Sequence, residues 1–396
     1  MSTRKIQKIE DYTNRASENK NIKINATAKT VIAVLMIILS IAGGYYVYFN
    51  IDNILGSPFT NHSIGQNASV ITIDSGIRYQ FKTYKNNIIF CNQDGIKAVS
   101  KKGSDEWSIP MTLLDPFIYI NNKYILIAGR EGREANIITS YSDIASITTE
   151  DPIITAKINA RGYLAVVTEE KGYQGKVTVY NPEGKELYKW HSVKNRILDV
   201  DISEDGKRMA VCVMDTSKGK VSGGLMFFYL NEEAPYAATV IPDTLIADIK
   251  FYKDNSLVAI GDNQTMFFSP EGIQKWSMDY IERELQAFNT DSNEIIVLAQ
   301  SERSGGGILN NRTIVEVLNR KGEKVGTYKL DGEIGHLDVQ KDVIVFNHKR
   351  NIHAITAKGV EIKKVSSGKD IKDLILFDNK RQVLVVSTNQ LRVMDL

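Results

Sequence analysis

Hydrophobic and polar positions divide this chain into two regimes. Near its start lies one apolar block, Val31–Phe49 (VIAVLMIILSIAGGYYVYF), inside a charge-free run from Thr30 to Ile51. No polar face appears in it at helical spacing. About 20 apolar residues at ~1.5 Å rise cross a ~30 Å hydrocarbon core, so the block is expected to be a transmembrane helix over 30–51. After it, helical periodicity is scarce. Short runs of apolar, β-branched and aromatic residues recur between Gly, Asn, Asp and Lys turns. They are Asn87–Cys91, Tyr124–Ala128, Tyr163–Val167, Met209–Val213, Leu257–Ile260, Glu294–Leu298, Val343–Phe346 and Val383–Val386. Continuous apolar runs of this length predict strands buried on both faces.

The eight runs start 37–49 residues apart. A period near ~40 residues with four strands per unit is the signature of propeller blades. Within a unit, one strand precedes the apolar run and two follow it. The last two are joined by a recurring Gly turn that leads to a large side chain. Its copies are Lys101-Lys102-Gly103 to Trp107, Pro182-Glu183-Gly184 to Trp190, Pro270-Glu271-Gly272 to Trp276, Arg320-Lys321-Gly322 to Tyr328, and Ala357-Lys358-Gly359 to Val365. Glycine supplies the positive φ of a tight turn. Trp107, Trp190, Trp276 and Tyr328 are expected to pack an outer strand against the next blade. The predicted fold is all-β, an eight-bladed β-propeller (seven as the fallback) preceded by one transmembrane helix. The last unit ends at Leu396 one strand short, and an open blade would expose strand edges. Ser69–Ile73 is an orphan strand and is expected to supply the missing outer strand.

These repeats resemble the PQQ-like and WD-repeat class of β-propellers, with Asn181–Trp190 (NPEGKELYKW) matching the PQQ-type repeat best. The whole layout also resembles an uncharacterised bacterial family of single-pass, membrane-anchored propellers. That resemblance implies no activity. A quinoprotein of this class would bring adjacent cysteines and a calcium-binding carboxylate set. Cys91 and Cys212 are far apart, and each lies in a strand-like run, so they read as buried thiols.

Charge sets the orientation. Residues 1–29 hold seven basic and three acidic side chains, whereas the whole chain is only +2. Positive flanks stay cytoplasmic, so the expected layout is a basic cytoplasmic tail at 1–29, the helix at 30–51, a linker at 52–67 and an extracytoplasmic propeller at 68–396. Tyr45, Tyr46, Tyr48 and Phe49 fall where an outer aromatic belt belongs. A cleaved signal at Ser40-Ile41-Ala42 is the alternative, but the long tail and the apolar continuation through Phe49 favour an anchor. A body near −2 offers no electrostatic footprint for nucleic acid.

Candidate chemistry is sparse. The chain has five histidines, and only His348 and His353 lie near one another in sequence, without a third ligand at metal spacing. Asp199, Asp201, Asp205 and Asp215 gather in one unit, where Asp205-Gly206 reads as a turn. The inner strands read as apolar. No cofactor or metal is expected. Loops between second and third strands exceed what a hairpin needs, and binding tends to reside in such loops. They place Arg130, Arg133, Glu134, Lys171, Lys218, Arg303, His348 and Arg350 on one face. The expected function is a non-catalytic binding or scaffold module for a protein, peptide or envelope polymer. A hydrolase, lactonase or quinoprotein-like enzyme using the central channel and a transmembrane sensor are the alternatives.

Overall fold

The computed structural model describes residues 70–140, 143–216, 219–302 and 312–396. Contacts divide the chain into a unit Met1–Ile64 and a unit Gly65–Leu396, and the described residues all belong to the second. The expected tail, membrane helix and linker, together with Lys218 and Arg303, lie outside the described residues.

The described residues form eight antiparallel four-stranded sheets. These are blade 1 (80–110), blade 2 (116–148), blade 3 (153–191), blade 4 (196–242), blade 5 (246–279), blade 6 (283–331), blade 7 (337–366) and blade 8 (373–395 with 70–72). The ring closes where the first strand of blade 1 meets the first strand of blade 8. All eight apolar runs are second strands. Leu164–Thr168 and Leu257–Gly261 are buried at every position. A second strand has sheet on both sides and a neighbouring blade on both faces, so it has no solvent face to mark with polar residues.

Eight hydrophobic clusters hold the ring together, one at each blade junction. The recurring turn glycines explain part of that packing. Gly103, Gly184, Gly272, Gly322 and Gly359 have φ between 75° and 86°. Each donates its N–H three residues back at 2.8–3.0 Å. A Cβ at each would meet the outer strand of the preceding blade, at Ile71, Ile147, Ala237, Trp276 and Thr327 respectively. The glycine therefore serves both the turn and the junction. Outer-strand aromatics use the same junctions. Trp190 lies 5.0 Å from Phe228 of blade 4, and Trp276 Nε1 donates to the Arg320 carbonyl of blade 6 at 3.0 Å. Tyr328 lies 5.6 Å from Phe346 of blade 7, and Trp107 packs among blade 2 residues.

Closure follows the expected route. Val70–Thr72 pairs antiparallel with the third strand of blade 8, Val70 opposite Arg392 and Thr72 opposite Gln390. This strand is the outermost of its sheet. First-to-second and third-to-fourth turns share one face of the ring, the turn face. Second-to-third loops and the connectors between blades share the other, the loop face. Val70–Thr72 runs from the turn face to the loop face.

Candidate functional site

Two regions of the ring concentrate polar chemistry: the hub and the loop face. The hub departs from the apolar inner strands expected of the sequence. Lys157 on the first strand of blade 3 (Ile153–Ile158) donates to Asp199 Oδ2 at 2.6 Å, Asp248 Oδ1 at 2.7 Å and the Ile249 carbonyl at 2.8 Å. Asp199 lies on the first strand of blade 4 (Arg196–Ile202), and Asp248 on that of blade 5 (Ile246–Phe251). Asp199 also accepts from the Ile249 N–H at 3.0 Å, and Asp201 from the Phe251 N–H at 2.6 Å. Across the ring Asp338 of blade 7 accepts from the Leu376 N–H of blade 8 at 2.7 Å. Each carboxylate thus clasps the inner strand of the following blade, where strands of different sheets have no ladder to share. Lys250 pairs with Asp291 in the same hub.

The electrostatics match this wiring. Burial pushes Asp199 up to about 6 and Asp201 up to about 7, against the pull of Lys157. Burial also pushes Asp338 up to about 7 and Tyr119 up to about 12. Lys250 holds Asp291 down at about 2. Burial alone would lower Lys157, but Asp199, Asp248 and Asp201 keep it well above the usual lysine value. A recess of about 610 Å3 lined by Tyr119, Lys250, Asn289, Asp291 and Asp338 opens from the hub among the turn-face loops. Asp199, Asp201, Asp248 and Lys157 are engaged with one another or with backbone, which suits inter-blade clasping better than proton transfer to a substrate. Among the described residues no group of three or more His, Cys, Asp or Glu is placed to hold a metal ion. Asp205 belongs instead to the turn after the first strand of blade 4, accepting from Ser203 Oγ at 2.6 Å and Lys207 N–H at 3.0 Å.

The loop face carries the six described residues singled out from sequence, spread over blades 2, 3 and 7. Arg130 is tied to its own blade, 3.5 Å from Asp115 and 4.7 Å over the Phe117 ring. Arg133 is exposed, and Glu134 accepts from Thr148 Oγ1 at 3.2 Å. Lys171 lines a depression of about 400 Å3 on blade 3 with Asp151, Glu170, Tyr173 and Arg196. Beside it the buried Lys176 is 3.0 Å from Asp151, and His191 is 3.1 Å from Glu170. His348 Nδ1 lies 2.7 Å from the Glu333 carbonyl in a second depression of about 670 Å3 on blade 7. Arg350 pairs with Asp370 at 2.9 Å. His353 is opposite Phe346, not His348, and its ring turns to Tyr328 and Glu361, each 3.2 Å from Nδ1.

One feature of this face escaped the sequence reading. Five of the eight blade connectors carry an exposed aliphatic side chain one to three residues before the next inner strand. These are Ile77, Leu114, Val193, Leu245 and Ile281. Because the inner strands bound the hub, these side chains surround its mouth. Each lies in a short connector beside turn-forming or charged residues, so no periodicity announced it.

Among solved structures, a BamB shares the fold at low identity. BamB from Moraxella catarrhalis aligns over 83% of this chain and 98% of its own, with 13% identity and a TM-score of 0.50. Hydrazine synthase of Kuenenia stuttgartiensis aligns over 73% and 97%, with 11% identity and a TM-score of 0.49. The WD40 domain of Neurospora crassa Pan2 aligns over 70% and 88%, with 9% identity and a TM-score of 0.47. At 13% identity the BamB match speaks for the fold alone. No curated protein matches the sequence. One family model does match, over residues 59–396, which takes in the whole propeller: the chain belongs to the family of unknown function DUF5711.

Proposed function

We propose that this protein is a non-catalytic binding scaffold that receives a protein or peptide partner on its loop face. The observation that carries the reading is the set of exposed aliphatic connectors around the hub mouth, Ile77, Leu114, Val193, Leu245 and Ile281. The cores of protein interfaces are apolar with a polar rim. Arg133 and Lys171 are exposed on the same face and suit that rim. Arg130, Glu134, His348 and Arg350 position the loops that bear them. The hub speaks against an enzyme, since its buried carboxylates accept backbone N–H groups or pair with Lys157.

The same proposal places residues 30–51 in the membrane, residues 1–29 in the cytoplasm and the propeller outside. Val70, the first described residue, enters its sheet on the turn face. Thr388→Cys tests the location, because Thr388 is exposed while Cys91 and Cys212 are buried. A membrane-impermeant maleimide should label this variant in intact cells; labelling only after lysis would put the propeller inside. Binding is tested with Leu114→Ser/Val193→Ser in the full-length chain. Partner capture should weaken while thermal unfolding stays unchanged, and undiminished capture would refute the loop face.

A further inference from the structure

The loop face is not electrostatically uniform. Several of its charges are answered within the ring: Arg130 by Asp115, Arg350 by Asp370, Lys176 by Asp151, His191 by Glu170. Blade 5 is different. The connector entering it carries Asp243 and Leu245, its second-to-third loop carries Asp262 and Asn263, and the connector leaving it carries Ile281 and Glu282. These three segments are lashed into one platform. Leu245 N–H donates to Asp262 Oδ1 at 2.9 Å, and Asp262 N–H to the Leu245 carbonyl at 2.9 Å. Asn263 Nδ2 donates to the Asp243 carbonyl at 2.6 Å, and Tyr280 N–H to the Asn263 carbonyl at 2.8 Å.

Leu245 is 37% exposed and Ile281 77% exposed on this platform. Asp243, Asp262, Asp279 and Glu282 stand exposed around them, and none is in an ion pair among the described residues. Arg283, the next residue after Glu282, is engaged elsewhere: its guanidinium lies 3.0 Å from Glu316 and 3.2 Å from Gln300. Four carboxylates of one sign on one platform make a negative local field, and no ion pair among the described residues relieves it. Two fixed apolar side chains inside an unanswered negative field favour a ligand that brings apolar anchors and positive charge together.

We infer that the blade 5 platform binds a basic peptide segment of a protein partner, one whose Lys or Arg residues flank apolar anchors. This rests on the loop face being the binding face and names the partner's chemistry. An anionic membrane surface is disfavoured by the same charges.

The test uses the full-length chain in detergent and, as probe, a display library of random twelve-residue peptides. Enriched peptides should carry Lys or Arg beside an aliphatic or aromatic residue. Their affinity should fall by about ten-fold or more in Asp279→Lys/Glu282→Lys at low salt, and the gap should narrow at about 0.5 M salt. Leu245→Ser/Ile281→Ser should weaken the same peptides with a smaller salt dependence. Unchanged thermal unfolding of both variants shows that the ring is intact. If enriched peptides are insensitive to the blade 5 changes but lost in Arg133→Glu/Lys171→Glu, the loop-face reading survives and this inference is overturned. If no loop-face substitution affects them, both fall. Enrichment without basic residues, or no enrichment, overturns the inference as well.

Discussion

Asp201 offers a sharp test of the hub. It is 8% exposed, its Oδ2 lies 2.6 Å from the Phe251 amide nitrogen, and burial holds its carboxyl at about 7 in place of 3.8. The folded state therefore keeps the Asp201 proton over a pH range in which the unfolded chain has lost it. Stability must fall as pH rises from about 4 to about 7, by up to about 1.4 kcal/mol per pH unit from this one group. Above pH 7 the penalty is complete, at most about 4 kcal/mol. Asp201→Asn removes the charge and keeps an oxygen to accept the Phe251 N–H. The variant should be more stable than the wild type at pH 8 by up to about 4 kcal/mol, and the gap should shrink to roughly 2 kcal/mol by pH 5. Urea unfolding followed by tryptophan fluorescence at pH 5, 6, 7 and 8 reads this directly, since Trp107, Trp190 and Trp276 sit at blade junctions. A variant that is less stable at pH 8, or a gap that does not change with pH, would refute the electrostatic account of the hub.

Asp291 should behave with the opposite sign. Lys250 holds its carboxyl near 2, so its stabilisation is present above about pH 4 and is lost as pH falls toward 2, and Asp291→Asn should flatten that acid limb in the same titration. Gly359→Ala should cost at least about 2 kcal/mol in a urea titration, because alanine would need φ of +78° with its Cβ 2.2 Å from the Thr327 carbonyl oxygen. Trp190→Ala, at a half-buried position against Phe228, should cost roughly 2 kcal/mol without changing the far-ultraviolet dichroism of the sheets. Burial pushes the Cys91 thiol to about 12 and raises that of Cys212 as well, so a thiol reagent at pH 8 should modify neither in the folded chain and both in denaturant.

What could be read from the sequence is what the ring repeats. Second strands such as Leu164–Thr168 touch only protein, so they are written as unbroken apolar runs. Turns such as Asn319–Glu323 need a positive-φ glycine, so they recur as a spelled motif. Ser69–Ile73 was legible as the closing strand because the last unit lacked its fourth. The hub was missed for a related reason. Inner strands such as Arg196–Ile202 alternate in their second half, with Asp199 and Asp201 between Leu198, Val200 and Ile202, and that alternation also fits an ordinary half-exposed strand. Only the packing of blades 3, 4 and 5 around the hub brings Lys157, Asp199 and Asp248 from three such strands to one point. The loop face was legible as a face, from loop length. Its division was not, because whether a charge such as Arg350 or Asp279 is answered depends on neighbours far away in sequence.

The central claim is that partners meet the loop face. Ile281 on that face and Val360 on the turn face are both exposed aliphatic residues, at 77% and 61%. A photo-reactive phenylalanine analogue placed at each, one at a time, in the full-length chain and irradiated in the producing cell compares the two faces directly. The account predicts a discrete protein adduct from position 281 and none from position 360. An adduct at 360 with none at 281 would contradict it.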